Sequence, residues 1–156
     1  MANLDLLIKA LDTAIWETGE AFKGLDDSDV WKRPDTKILS VGELAAHVAY
    51  WQSKSFFGDS FESPLTSMAA RYYSSNVDTP YKLEMGAEAV YNEMKRIHEA
   101  CKTEFEAHPH DSDEANPNRE GWTWGFTVEY QVFHIAYHCG QMYSVRHLLG
   151  HKTVDN

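Results

Sequence analysis

The chain has 156 residues, enough for one domain spanning 1–156, and its net charge of −10 without any basic run argues against nucleic-acid binding. No window of about 18 apolar residues occurs and no basic region precedes the first apolar segment, so neither a membrane span nor a secretion signal is expected. Two cysteines, Cys101 and Cys139, build no disulfide framework, which predicts a soluble cytoplasmic protein.

The first predicted helix begins after Asn3, which can act as its N-cap, and ends near Phe22. Gly24 and the polar residues that follow it predict the stop. Apolar residues recur at the helical period of 3.6 residues, at Leu4, Leu7, Ile8, Leu11 and Ile15. The Pro-containing segment that comes next predicts a loop.

The second predicted helix begins at Ser40 and runs to about Phe57. Ser40 and Glu43 have the spacing of a capping box, and Gly58 predicts the end. His47 points inward on this helix, and it can be either a core histidine with a hydrogen-bond partner or a metal ligand.

Residues 59–83 are rich in Ser, Asp, Asn and Pro and predict a long crossover. Such a connection carries a short helix near 65–73 or covers a site.

The third predicted helix spans about 84–107 and ends before Pro109. His98 lies at the edge of its apolar stripe, where a half-exposed side chain is expected, and the polar segment after the helix predicts a solvated turn.

The fourth predicted helix runs from Thr127, as the N-cap, to Gly150. It places His134 and His138 one turn apart on the side that faces the core. Two such imidazoles can share a divalent cation, or each can be a core histidine bonded to a neighbour such as Tyr130. The spacing alone leaves both interpretations open. Four helices with one apolar stripe each predict an all-α fold, a four-helix bundle with a long crossover between helices 2 and 3.

Two segments resemble the DinB superfamily of small helical proteins. One is VWKRPDTKILSVGELAAHVAYW, with a Trp and a Pro before the Ser-capped helix; the other is HIAYHCGQMYSVRHLLG, with its two histidines followed by Gly-Gln. The resemblance covers essentially the whole chain. In that family one histidine of the second helix and two of the last helix form a metal site, which implies His47, His134 and His138 as ligands here.

The resemblance and the inward direction of the three side chains select the same residues. Three neutral nitrogens leave at least one coordination position open, as in a site that exchanges ligands. Imidazole ligands suit zinc, nickel, copper or iron(II), and the sequence does not choose among them. Gln131 and Gln141, one turn on either side of the pair, are candidates for orienting a ligand or a substrate, or for a plain inter-helix hydrogen bond.

Characterised members of the family include thiol-dependent transferases and isomerases, so the resemblance implies a metal-dependent enzyme. The predicted activity is S-transfer with a low-molecular-weight thiol, or hydrolysis of a small organic substrate. The alternative is a non-catalytic, stress-associated metal-binding bundle. Among basic residues only Lys54 is expected near the site, so the sequence shows no group that would recognise the thiol.

A homodimer is predicted on two grounds. Members of the family commonly form homodimers. In addition, the face of helix 4 opposite the histidine pair carries an apolar stripe that a monomer would leave open. That stripe consists of Val132, Ala136, Cys139 and Tyr143.

Overall fold

A computed structural model describes residues 4–71 and 78–152 of the chain. Within them lie four α-helices: α1 (Leu4–Phe22), α2 (Val41–Phe57), α3 (Ala87–Ala107) and α4 (Trp124–Leu148). The only β-type pairing in the described part consists of two isolated bridges. The all-α prediction is therefore confirmed. None of the helices in this part is both long and apolar enough to cross a bilayer.

The four helices pack as a bundle around one hydrophobic core. α1 contacts α3 and α4, and α2 contacts the same two helices. Each helix turns its apolar stripe inward, and α2, which lies beneath the crossover as well, is buried over most of its length. The core therefore sits between the helices, and the predicted four-helix bundle is confirmed.

The N-terminus of α2 is fixed by the predicted capping box. The backbone N–H of Glu43 donates to the Ser40 side chain at 3.2 Å, and the Glu43 carboxylate accepts from the Ser40 N–H at 2.8 Å. At the other end Gly58 has a φ of 63°, a conformation that favours glycine. The predicted cap of α1, Asn3, lies outside the described residues.

The crossover between α2 and α3 packs against α2. Instead of one helix near 65–73 it forms two short 3₁₀ turns, Pro64–Thr66 and Met68–Ala70, and residues 72–77 lie outside the described part. Leu65 and Ala70 are fully buried. These two side chains hold this part of the crossover on the bundle.

α4 begins one turn earlier than predicted, because its N-cap is Thr123 and not Thr127. The Thr123 side chain accepts from the N–H of Phe126 at 3.2 Å. Thr127 is buried inside the helix, where its hydroxyl donates to the Thr123 carbonyl and accepts from Asn116. Both threonines fit a cap in sequence, and tertiary contacts decide between them.

The apolar stripe predicted to leave α4 open for self-association is largely covered within the chain. The Tyr143 hydroxyl donates to Glu17 of α1 at 2.7 Å, and the Cys139 thiol is hydrogen-bonded to Thr18 of the same helix. Val132 packs against the core. Of the four residues of the stripe, only Ala136 is exposed. The reason is that α1 packs against the side of α4 that the sequence pattern predicted to be open.

Candidate metal centre

The bundle brings together His47 of α2 with His134 and His138 of α4. The Nε2 atoms of His47 and His134 are 3.2 Å apart, and one ligand atom from each of the three rings lies within 4.8 Å of the other two. The centroid of the His138 ring is 4.8 Å from that of His47 and 4.6 Å from that of His134. Residues 87 positions apart in sequence thus form one cluster of imidazoles.

A hydrogen bond orients the ring of His138. The Nδ1–H of His138 donates to the side-chain oxygen of Gln141 at 2.7 Å, which leaves the Nε2 lone pair of His138 available to a ligand. The backbone of Ala70 in the crossover lies beside the ring of His47. In the described part of the chain, the buried Nδ1 of His134 has no hydrogen-bond partner.

Burial keeps all three imidazoles neutral at pH 7. It is the largest cause that lowers the pKa of His47 to about 4, and the nearby His138 adds to it. Burial likewise lowers the pKa of His134 to about 3, with smaller contributions from His138, His47 and Arg119. Burial also lowers the pKa of His138, against the opposing effect of its hydrogen bond to Gln141. Neutral imidazole is the form that binds metals.

The arrangement fits a divalent cation. Two nitrogens that each lie 2.0–2.1 Å from a tetrahedral zinc ion are about 3.3 Å apart, close to the observed 3.2 Å between His47 and His134. The hydrogen bond between His138 and Gln141 is of the kind that fixes the tautomer of a metal-binding histidine. These three residues could therefore hold the ion.

The two predicted glutamines have different surroundings. Gln141 contacts His138 directly and also donates to the Tyr137 hydroxyl at 3.2 Å. Gln131 instead donates to Ser55 Oγ at 3.0 Å and to a backbone carbonyl of α2, as in the inter-helix alternative. Gln141 therefore orients the cluster, whereas Gln131 joins α4 to α2.

His98 and Cys101 of α3 do not belong to the cluster, so neither fills a coordination position there. His98 is only 2% exposed, contrary to the expected half-exposed position. Its Nε2–H donates to Asp12 of α1 at 2.8 Å, and its Nδ1 accepts from Gln52 of α2 at 3.0 Å. Both partners come from other helices, which the pattern of α3 alone does not show.

A cavity of about 340 Å³ opens beside the three imidazoles. It gives a small molecule access to the cluster, and it is lined chiefly by aromatic rings. Besides the histidines, its lining consists of Trp51, Arg119, Tyr130, Phe133 and Tyr137.

Arg119 is the charged residue of this site that the sequence pattern did not indicate. It directly follows residues 108–118, which were expected to form a solvated turn. Instead Asn116, which is buried, anchors the segment by donating to the Ser55 carbonyl and to Thr127 Oγ1, each at 3.0 Å. The run Asn-Pro-Asn-Arg-Glu-Gly, rich in residues that bond their own backbone, was the available signal for an ordered turn.

A second group of possible ligands lies at the surface, formed by Asp26, Asp29 and His151. Here His151 Nε2 already pairs with Asp29 at 2.8 Å. Since this contact alone accounts for the approach of the two side chains, we interpret the group as a hydrogen bond that fastens His151, just after α4, to the loop between α1 and α2.

The bundle and its cluster define a class of small helical proteins with a three-histidine site between the second and last helices. The chain belongs to the DinB superfamily, whose family model matches residues 10–142. No curated protein and no solved structure matched the chain significantly.

Proposed function

We propose that this protein is a divalent-metal-dependent enzyme in which His47, His134 and His138 bind the ion. The observation that carries the proposal is the convergence of three neutral imidazoles at the wall of a cavity large enough for a small organic molecule. Membership of the DinB superfamily supports it, because the matched range, residues 10–142, includes the three histidines that the sequence resemblance implies as ligands.

The chain's own residues would each have a defined part. The three imidazoles bind the ion, Gln141 keeps the proton of His138 on Nδ1, and the aromatic wall excludes water. A divalent ion bound there supplies Lewis acidity, which lowers the pKa of a coordinated water or thiol. That chemistry suits S-transfer with a low-molecular-weight thiol, or hydrolysis of a small organic substrate. Zinc, nickel or iron is the proposed metal, since imidazole ligands suit each of them.

A non-catalytic metal-binding bundle is the alternative. A structural site would have its coordination positions filled by protein. Neither His98 nor Cys101 reaches the cluster, and the cavity opens beside it, which favours the enzyme.

The proposed setting is the cytoplasm, where the two buried cysteines would stay reduced.

The test is the metal content of the purified protein and three variants, measured by elemental analysis after equilibration with each candidate ion. We expect about one ion per chain in the wild type and at least a tenfold weaker affinity in His47→Ala and His138→Ala. His108→Ala is the matched control, because His108 is exposed at the end of α3 and pairs with Glu104. Undiminished metal content in both site variants would show that the three-histidine site is wrong.

A further inference from the structure

Arg119 places a fixed positive charge beside the imidazole cluster. Its guanidinium carbon lies 4.0 Å from the centroid of the Trp122 ring and 4.9 Å from that of Trp51. Rings that stack on a guanidinium contact its face, whereas its N–H groups lie at the edge of the plane. The stacking therefore fixes the direction of the side chain, together with a hydrogen bond from Nη1 to Ser55 Oγ at 3.5 Å. Because a guanidinium carries five N–H groups, this arrangement is compatible with hydrogen bonds from its edge to a ligand.

The backbone under Arg119 is fixed as well. Its N–H donates to the carbonyl of Asn116 at 3.1 Å, and its carbonyl accepts from the N–H of Trp122 at 3.0 Å. A bridge between Ala115 and Thr123 closes the same turn. Together with the buried side chain of Asn116, these bonds hold the arginine in place before any ligand arrives, so little entropy is lost on binding.

The cavity wall carries a positive charge, whereas the protein as a whole is negatively charged. The chain carries a net charge of −10, yet the described residues that line the cavity include Arg119 and no carboxylate. The three imidazoles are neutral, so the arginine is the permanent charge of this lining. A wall of this kind favours an anionic organic ligand over a neutral one.

The remaining lining is aromatic. Tyr130 stacks on His134, with ring centroids 5.7 Å apart and planes 18° apart, and Phe133 stacks on Tyr137 in the same way at 5.9 Å. Phe133 and Tyr137 keep more than half of their surface exposed. Exposed rings at a cavity mouth offer a flat apolar body a surface to pack on.

We infer that the cavity binds a small organic carboxylate with a flat apolar body, that Arg119 pairs with the carboxylate, and that the rings of Phe133 and Tyr137 cover the body. The inference rests on the proposed function in one respect, that the cavity beside the imidazoles is the substrate site. Arg119 is then the residue that determines specificity for an anion. A guanidinium suits this task because it donates two parallel hydrogen bonds to a carboxylate.

The experiment compares two probes of nearly equal shape, 2-naphthoate and its neutral amide 2-naphthamide, by titration calorimetry on the full chain. Both the chelator-treated protein and the zinc-loaded protein are titrated. We expect the carboxylate to bind about tenfold or more tightly than the amide in both forms, as the loss of one charged hydrogen bond implies. Arg119→Gln is expected to bring the two affinities to within about twofold while the amide affinity stays unchanged.

Two further variants complete the set. Arg119→Lys keeps the charge but loses the paired donors, so an intermediate preference for the carboxylate is expected. Arg96→Gln is the matched control: this arginine also lies over an aromatic ring, that of Phe61 at 5.0 Å, and pairs with Glu93, away from the cavity lining. It is expected to retain the full preference.

The possible results test this inference separately from the proposed function. A preference that persists in Arg119→Gln would overturn the inference, and so would failure of both probes to bind. A preference seen only with zinc and independent of Arg119 would mean that the carboxylate binds the metal, which supports the metal centre and overturns the role of Arg119. An Arg119-dependent preference in a chain that binds no metal would support the inference and overturn the metal centre.

Discussion

The three imidazoles of the candidate centre are buried to similar degrees but differ in what holds each ring. Gln141 holds His138 by a hydrogen bond, the crossover backbone lies beside His47, and stacking on Tyr130 supports His134. A hydrogen bond to the ring nitrogen that does not bind the metal usually fixes the orientation of a metal-binding histidine. We therefore expect the ring of His138 to move least when an ion binds.

Neutral buried histidines make the metal-free protein sensitive to acid. The pKa values of His47 and His134 in the folded protein, about 4 and about 3, lie below the 6.5 of an unperturbed histidine. As the pH falls from 6.5 toward 4, the unfolded chain therefore binds protons before the folded one does. The free energy of unfolding is therefore highest above pH 6.5, and it falls through this window by on the order of 3 kcal/mol or more.

Urea unfolding of chelator-treated protein at pH 7.5, 6 and 5 measures this loss. His134→Gln removes one of the titrating groups, so its free energy of unfolding should depend less steeply on pH. Equal slopes for the wild type and the variant would contradict a buried, neutral His134.

At the scale of single elements, the start of α2 depends on one carboxylate. Glu43 has no exposed surface, and Arg33 donates to it from Nε at 2.8 Å and from Nη2 at 2.7 Å. It also accepts from the N–H of Ser40 and from that of Tyr81 in the crossover. Burial alone would raise the pKa of Glu43, but these hydrogen bonds lower it. One side chain thus joins the loop before α2, the helix itself and the crossover that follows it.

Replacing this carboxylate should destabilise the fold strongly. Glu43→Gln turns one acceptor oxygen into a donor that faces N–H groups and leaves Arg33 without its charge partner, at a cost of roughly 3–5 kcal/mol. Glu20→Gln, which removes an exposed pair with Lys23, should cost less than about 1 kcal/mol. Urea unfolding at pH 7 gives both values, and a small effect of Glu43→Gln would contradict the anchoring role.

At the scale of the whole molecule, α1 and α4 form a closely packed pair. The buried Arg146 of α4 donates to the carbonyls of Glu20, Ala21 and Lys23 at the end of α1. The last carbonyls of a helix lack the N–H groups of a following turn, and here only Glu20 also accepts a local bond, from the N–H of Lys23 at 3.3 Å, among the three carbonyls. The arginine therefore acts as a cap supplied by another helix. This contact explains why the stripe of α4 that faces α1 is buried in a single chain.

Homodimerisation stays a prediction, but the residues expected to form the interface differ from the α4 stripe that the sequence indicated. Outside the cavity lining, large apolar side chains remain exposed at Trp16 of α1 and at Phe126 and Leu148 of α4. Light scattering of the eluting protein should give twice the monomer mass, because exposed rings of this size favour association. Trp16→Glu tests the α1 side, which lies outside the cavity lining. A monomer mass for the wild type would contradict the prediction.

Local chemistry determined most of the architecture. Helical periodicity places the four helices, and the Ser40–Glu43 box and Gly58 fix both ends of α2, because these signals act between neighbours in sequence. The same periodicity turned His47, His134 and His138 inward, and the structure brings the three together.

Tertiary structure alone decided the features that depend on contacts between distant segments. Such contacts select Thr123 as the N-cap of α4 and bury His98 between Asp12 and Gln52. They also cover the stripe around Cys139 and place Arg119 at the cavity. A helical pattern gives the direction of a side chain from its own axis, but not what another helix or loop places opposite it. That is why the sequence indicated the imidazoles, which lie on helices, and missed the arginine, which lies on an ordered turn.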